Sequence, residues 1–497
     1  MLCVLASYWT WTHQLNDFGG DSAEYLLIAQ RFSFFGDSNP AASQFASATS
    51  YPPLYPLLLA LFSNGQNWLL AHQVTAFCGV AALFVLWHQL RVENYPPIDS
   101  LVVVGVIALV PGFYSQALYI HSEFLFLLFV CLCLYAVSRL ERETKLVFVV
   151  MASLAATGAY FTRTIGISLV VALVVYVLLR RPKREWAIVV VMTLAPVLGW
   201  MHFGQPPGGG YLAAWKERLS IVGSPPVTDI ITSQLAALAD GYVINFIGQG
   251  STNTAVVLLF SVVCFGAWAF RLSRCKLDAL FLGAYFTILV AWPFPAERVR
   301  FVLPAVPILV MQVVLSLYAL GLNSKKGGAI LAARVAVLVL AITIFPTLIL
   351  TVQRYLEPMP LELESYRRSP EWYAVTSRNE RLSAIFLYQR SKVGFEEIQI
   401  HVPKQECVFS IKPSLVALFA QRNSYRTPLP NSKLGLELDP DAVACRYVYM
   451  APFTSPTFAE AYYPIGRWAG GMDVIHVTRL IESDDASGVA GMISKIR

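Results

Sequence analysis

Apolar residues recur in runs of about 15 to 24, separated by short charged stretches, a spacing that matches helices crossing a bilayer. This pattern predicts spanning helices near 68–90, 100–118, 122–138, 146–161, 165–180, 186–203, 253–270, 279–293, 301–321 and 328–351. Residues 1–15 (MLCVLASYWTWTHQL) read as the far end of a further span. They are too few to cross about 30 Å of hydrocarbon at about 1.5 Å per residue, so the first helix is expected to be truncated or its start misplaced. They also lack the basic start and cleavage site of a signal peptide.

The stretches between the runs have patterns of their own. GDSAEYLLIAQRFSFF (20–35) carries Tyr25, Ile28, Ala29 and Phe32 at three- and four-residue spacing, which predicts an amphipathic helix in the membrane interface. YPPLYPLLLALF (51–62) opens on prolines and is too short to span, so it is expected to be a half-helix. The segment 204–252, with its PPGGG, reads as a mobile outer loop containing short amphipathic pieces. From about 352 the composition turns mixed and polar. A helical stretch at 371–390 and β-like runs at 406–411, 443–450 and 472–479 predict a small α/β domain there.

Charge then orients the chain. Alternate junctions hold Arg91; Arg139, Arg142 and Lys145; Arg180, Arg181, Lys183 and Arg184; Arg271, Arg274 and Lys276; and Lys325 and Lys326. The positive-inside rule makes that side cytoplasmic. Residues 16–67, 119–122, 162–164, 204–252, 294–300 and everything after 351 fall outside. Composition agrees with a membrane protein: 56% of residues are hydrophobic, 14% are charged, and the mean hydropathy is +0.56. The net charge of +6 reports orientation and not a nucleic-acid partner. The expectation is an all-α polytopic bundle at 1–351, with outer loops 16–67 and 204–252, and an extracytoplasmic α/β domain at 352–497. Cys78, Cys131, Cys133 and Cys264 lie in apolar runs as small core residues, whereas Cys407 and Cys445 can pair if their region is extracytoplasmic.

Candidate chemistry sits on the outer side. Asp21 and Glu123 are carboxylates at the mouths of hydrophobic segments, where a charge is costly unless it pairs, meets water or reacts. Asp21 could equally cap the helix beginning at Ser22, and Glu123 could serve the dipole of its own span. Arg163, Arg298 and Arg300 break the orientation rule. Interfacial snorkelling, or an Arg298–Glu297 pair, would account for them singly. Together, three guanidiniums beside two acids suit transfer of a group from a lipid phosphate, because arginine binds phosphate bidentately and a carboxylate takes a proton from an attacking hydroxyl or amine. His121 beside Glu123 and His13 near Asp17 are expected at the interface, neither with the spacing of a ligand set.

GDSAEY, YPPLYPLLLALF, the SE of IHSEFLFLLF, TRTIG and ERVRFVLPAVP, in that order across residues 15 to about 310, resemble the GT-C glycosyltransferases. The branch is that of the protein O-mannosyltransferases and the aminoarabinose transferase of lipid A, a family 39-like group. CVFSIKPSLVALFAQRNSYRTP resembles more weakly the outer domain of its bacterial members. The resemblance implies a GT-C fold of about 11 transmembrane helices and a multi-pass place in the inner or plasma membrane. It implies a polyprenyl-phosphate-linked sugar donor, a lipid, glycan or protein acceptor, and inverting transfer on the extracytoplasmic face. Asp21 would be the catalytic base and Glu123 its support, while Arg163, Arg298 and Arg300 would hold the donor phosphate. The family often has adjacent acids at the first site. Here Ser22 follows Asp21, so Asp17 or Glu24 is an alternate base. A divalent cation between the acids stays open. Rival expectations are a lipid or small-molecule transporter and a scaffold displaying the outer domain. The charges on one membrane face, and the absence of paired broken helices in the two halves, speak against the transporter.

Overall fold

The computed structural model describes residues 8, 12–13, 15, 21–34, 39–48, 51–204, 227–247, 254–292, 298–324, 328–369, 372–373, 377–426, 445–450, 472–479 and 489–496. The helices begin with α1 (Asp21–Phe32), α2 (Ala42–Ala48) and α3 (Leu54–Ser63), then α4 (Trp68–Val92), α5 (Pro97–Ala108), α6 (Pro111–Ser115), α7 (Glu123–Glu143), α8 (Leu146–Thr162) and α9 (Ile167–Arg180). After these come α10 (Lys183–Val189) and α11 (Ala195–Gly199), interleaved with wide turns, then α12 (Val227–Ile247), α13 (Thr254–Leu272), α14 (Leu277–Val290), α15 (Arg298–Val302), α16 (Ala305–Ser324) and α17 (Gly328–Leu356). Among the described residues, five helical stretches are long and apolar enough to cross a membrane, or six if a bent pair counts as one span. Shorter apolar helices, α8 and α14 among them, fill the rest of the bundle.

The bent pair is the predicted 100–118 span. It is two helices at 62°, because Pro111 has no N–H to continue the ladder and holds Val110 extended (ψ 129°). The segment 204–252 also differs from expectation. It contains the 21-residue α12, which packs against α6, α14 and α15. Of its glycines, Gly241 lies inside α12 with the Arg298 backbone against it, and residues 205–226 lie outside the described residues.

Packing centres on α7, which lies between α4 and α8 and is buried along most of its length. At its C-terminal, basic end a polar clasp ties the ends of α4, α7, α9, α13 and α14 together. Arg271 of α13 pairs with Asp278 at 2.5 Å and approaches Glu93 to 3.9 Å. Ser138 donates to Glu93, while Lys276 and Tyr176 both reach Glu141 of α7.

Beyond the bundle, α18 (Arg378–His401) and α19 (Pro413–Ala420) accompany β1 (Val408–Ser410), β2 (Ser424–Arg426), β3 (Tyr447–Met450), β4 (Met472–Arg479) and β5 (Val489–Ile496). The sheet order is β2-β1-β3-β5-β4, with β1 parallel to β2 and β3, and β5 antiparallel to β3 and β4. Three strands and a helix fall near their expected places, although the helix lies later than 371–390. A disulfide joins Cys407 to Cys445, so it staples the entries of the adjacent strands β1 and β3.

This domain docks on the segment that carries α2 and the start of α4. Asn39 donates to the Ala417 carbonyl (2.8 Å). The Gln44 amide donates to Ser424 O (2.7 Å) and accepts from Ser424 N (3.1 Å), closing the free edge of β2 as a neighbouring strand would. Trp68 of α4 meets Phe419 edge-on at 5.4 Å. As a result α1 is not an interfacial helix. It is enclosed by α2, α3 and α19, and Ser22, Ala23 and every residue from Tyr25 to Gln30 are buried.

Gly65 fixes where α1 sits. Its φ is +67°, and a Cβ there would lie 2.5 Å from the Leu26 carbonyl oxygen of α1 and 2.7 Å from the Gln30 nitrogen. Gly65→Ala is therefore expected to cost about 1–3 kcal/mol, read as a lower thermal midpoint in detergent; an unchanged midpoint would show that α1 has slack.

Candidate active site

Asp21 is the first residue of α1, and Glu123 the first residue of α7. They belong to the end of the bundle opposite the basic clasp, and Arg300 brings them together. One edge of its guanidinium, through Nη1, pairs with Asp21 Oδ2, while Nε pairs with Glu123 Oε1. Arg163 adds a second cation on Glu123 Oε1. It sits at the C-cap of α8 in extended conformation, with its guanidinium 5.3 Å from the centre of the Phe301 ring. Two acids and two arginines thus form one neutral cluster. Its only well-exposed member is Asp21, whose side chain is 30% open against 0% for Glu123 and 11–13% for the arginines.

Tyrosines frame the acids. The Tyr51 hydroxyl donates to Asp21 Oδ1 at 2.8 Å. Tyr25 shares a hydrogen bond with Ser122 (2.9 Å), tying α1 to the start of α7. Its ring lies about 5 Å from both Tyr51 and Tyr55, and Tyr55 is anchored to Thr75 of α4 at 2.7 Å. Burial would push the Asp21 carboxyl up, but the Arg300 guanidinium, His121 and the Arg300 and Tyr51 hydrogen bonds outweigh it and hold the acid well below the carboxylate range. The same burial raises Tyr51, which stays a protonated donor.

The expected residues are thus partly assembled. Asp21, Glu123, Arg163 and Arg300 converge. Arg298 does not join them; it pairs with Asp240 of α12 at 3.5 Å, on a more open surface. Its alternative partner Glu297 and the alternate base Asp17 lie outside the described residues. Glu24 lies one turn along α1 and is half-buried. Asp21 bonds across to Arg300 and Tyr51. The histidines are not interfacial. His121 is buried 3.2 Å from Gln116 and stacked on Tyr119. His13 is buried against His72 and donates to the Leu118 carbonyl.

Tyr51 is the residue that sequence reasoning missed. Its signal is slight: a tyrosine opening the YPP that starts a half-helix. A divalent cation is a poor fit to these side chains, since Arg300 already occupies the position between the acids. Among the described residues no group of three or more His, Cys, Asp or Glu is arranged as a ligand set. Glu123 Oε2 is buried without a hydrogen-bond partner among the described residues, which leaves one acceptor atom of the cluster unsatisfied.

This architecture, an apolar helical bundle with acids and arginines gathered at one end and a small docked sheet domain, shares its fold with solved structures of ArnT. The match extends over nearly the whole chain. ArnT from Cupriavidus metallidurans in the apo state superposes with a TM-score of 0.56 at 12% identity, covering 99% of this chain and 96% of that one. The same protein bound to undecaprenyl phosphate gives 0.51 at 14% identity, with the same coverage. No protein-family model and no curated protein sequence matches the chain.

Proposed function

We propose that the chain is an integral-membrane glycosyltransferase that takes a sugar from a polyprenyl-phosphate donor. The observation that carries this reading is Arg300 bridging Asp21 to the buried Glu123 with Arg163 alongside, in a fold whose neighbour ArnT is known bound to undecaprenyl phosphate. Without the donor, the two guanidiniums are each paired with a carboxylate. A phosphate entering the cluster competes for them, and it offers the planar, bidentate geometry that arginine prefers.

The reaction follows from what that competition releases. Once Arg300 turns toward phosphate, Asp21 loses its strongest partner and becomes a better base. The acceptor oxygen or nitrogen attacks the anomeric carbon from the face opposite the phosphate, and Asp21 takes its proton. The bond from that carbon to the phosphate oxygen breaks, the electron pair leaves with polyprenyl phosphate, and the configuration inverts. Arg163 and Arg300 hold the added negative charge on the leaving phosphate. Glu123 keeps both arginines in place, and its free Oε2 accepts a hydrogen from the acceptor. Tyr51 aims Asp21. Arg298, paired with Asp240, serves the approach to the site and not the phosphate itself.

In this reading, the spans number about 11, residues 352–497 form the extracytoplasmic domain, and the acceptor is a lipid, a glycan or a protein. The protein lies in the inner or plasma membrane with its basic end cytoplasmic. Arg300→Ala is expected to weaken donor binding roughly ten- to hundred-fold, the value of one charged hydrogen-bonding pair. Titration of the purified variant with polyprenyl-phosphate sugar checks this, and an unchanged donor affinity would return Arg300 to a snorkelling role. Product formed in detergent, where no second compartment exists, separates the enzyme from a transporter.

A further inference from the structure

At the opposite, basic end of the bundle, a groove opens on the flank where α5 lies beside α17. It holds about 140 Å³ and is lined by Tyr95, Asp99, Val102, Val106, Arg334 and Leu338, among others. An apolar cavity of roughly 150 Å³ admits a benzene-sized molecule, so this groove takes a length of hydrocarbon chain and not a whole lipid. The surface around it is apolar and open, with Ile98 75% and Ile342 63% exposed, which suits a wall facing lipid.

The mouth of the groove is polar in a particular way. Arg334 donates through Nε and Nη2 to a single oxygen, Asp99 Oδ2, at 3.1 and 3.0 Å. Asp99 Oδ1 and Arg334 Nη1 are left without a partner among the described residues. The Tyr95 hydroxyl, on a residue only 1% exposed, has none either. A buried hydroxyl left unpaired costs about 1–3 kcal/mol, so a partner from outside the chain is favoured. One acceptor of negative charge, one donor of positive charge and one neutral donor therefore stand together above an apolar slot.

We infer that this groove binds a zwitterionic aminophospholipid of the surrounding bilayer. Its ammonium meets Asp99 Oδ1, its phosphate meets Arg334 Nη1 and the Tyr95 hydroxyl, and one acyl chain lies between Val102 and Leu338. An anionic lipid satisfies Arg334 but sets its charge against Asp99, so it binds less well. The site is separate from the Asp21–Glu123 cluster, and it holds whether or not that cluster transfers sugar.

The test uses the full chain in mild detergent, with equimolar phosphatidylethanolamine and phosphatidylglycerol added and the retained lipid counted by native mass spectrometry. Phosphatidylethanolamine is expected to be retained about ten-fold over phosphatidylglycerol, about 1.4 kcal/mol. Asp99→Asn should remove that preference, and Val106→Trp, which fills the slot, should remove retention of both. Leu338→Trp stands at the exposed mouth and gives the same reading should Val106→Trp not fold, while Val171→Trp on another exposed flank should change nothing. Equal retention of the two lipids, or retention indifferent to Asp99→Asn and Leu338→Trp, overturns the assignment.

Discussion

Asp21→Asn is expected to lower sugar transfer by about 10²–10⁴-fold, the usual worth of a positioned general base, while expression and membrane insertion stay normal. The amide keeps the size of the carboxylate and can still accept from Tyr51, so the frame of α1 and the tyrosines is preserved. What it loses is the capacity to take a proton and one of the two charges on Arg300. Loss of the Arg300 pair by itself would raise donor affinity, because a competing anion is gone. A base therefore shows as a fall in turnover with donor binding equal or tighter. A structural role would lower both together. Asp17→Asn is the control: if the acid four residues earlier were the base, the large fall would move to that variant. The pairing also sets a pH dependence. The folded carboxyl is held below its unfolded value near about 4, so its contribution to stability is present above that pH and disappears as pH falls.

Glu123→Ala is expected to be the most destabilising single change in the site, at about 3–5 kcal/mol. The side chain is fully buried and is the sole ion-pair partner of Arg163 among the described residues, so its removal strands a guanidinium in a low-dielectric pocket. Arg300 suffers less because Asp21 remains. The cycle with Arg163→Leu isolates the mechanism. Glu123→Leu alone should be severe, and the Glu123→Leu, Arg163→Leu double variant should recover much of the lost thermal midpoint, since an apolar pair of similar volume is often neutral in place of a buried ion pair. Additive losses in the cycle would mean that the two residues act independently. Turnover should remain low in the double variant, as the phosphate then has only Arg300.

Alternating basic loops put Asp21, Glu123, Arg163 and Arg300 on one face of the chain, because the charge asymmetry of short loops is legible in the sequence. Separating Arg298 from Arg300 needed one step more. Residues two apart on a helix do not share a face, so only one of them could meet the acids. The burial of α1 was not legible, because it depends on Asn39 and Gln44 meeting α19 and β2 nearly four hundred residues later. Read alone, its apolar spacing looks like an interfacial helix. Nor was α12 visible, since its apolar positions are interrupted by Thr232, Ser233, Gln234 and Asp240 and it is held by tertiary contacts. The strand β5 was missed for a related reason: Gly491 and Ser494 dilute its β signal, and its pairing with β3 and β4 supplies what the local sequence lacks.

The most direct measurement is release of polyprenyl phosphate from a polyprenyl-phosphate-linked hexose or pentose by the purified chain in detergent, with an envelope extract as acceptor source. Wild-type protein is expected to release it with formation of a glycoside of inverted anomeric configuration, and Asp21→Asn to release it at least about a hundred-fold more slowly. No release from any donor of either class, or release by Asp21→Asn at the wild-type rate, would contradict a carboxylate-based glycosyl transfer at the Asp21–Arg300–Glu123 cluster.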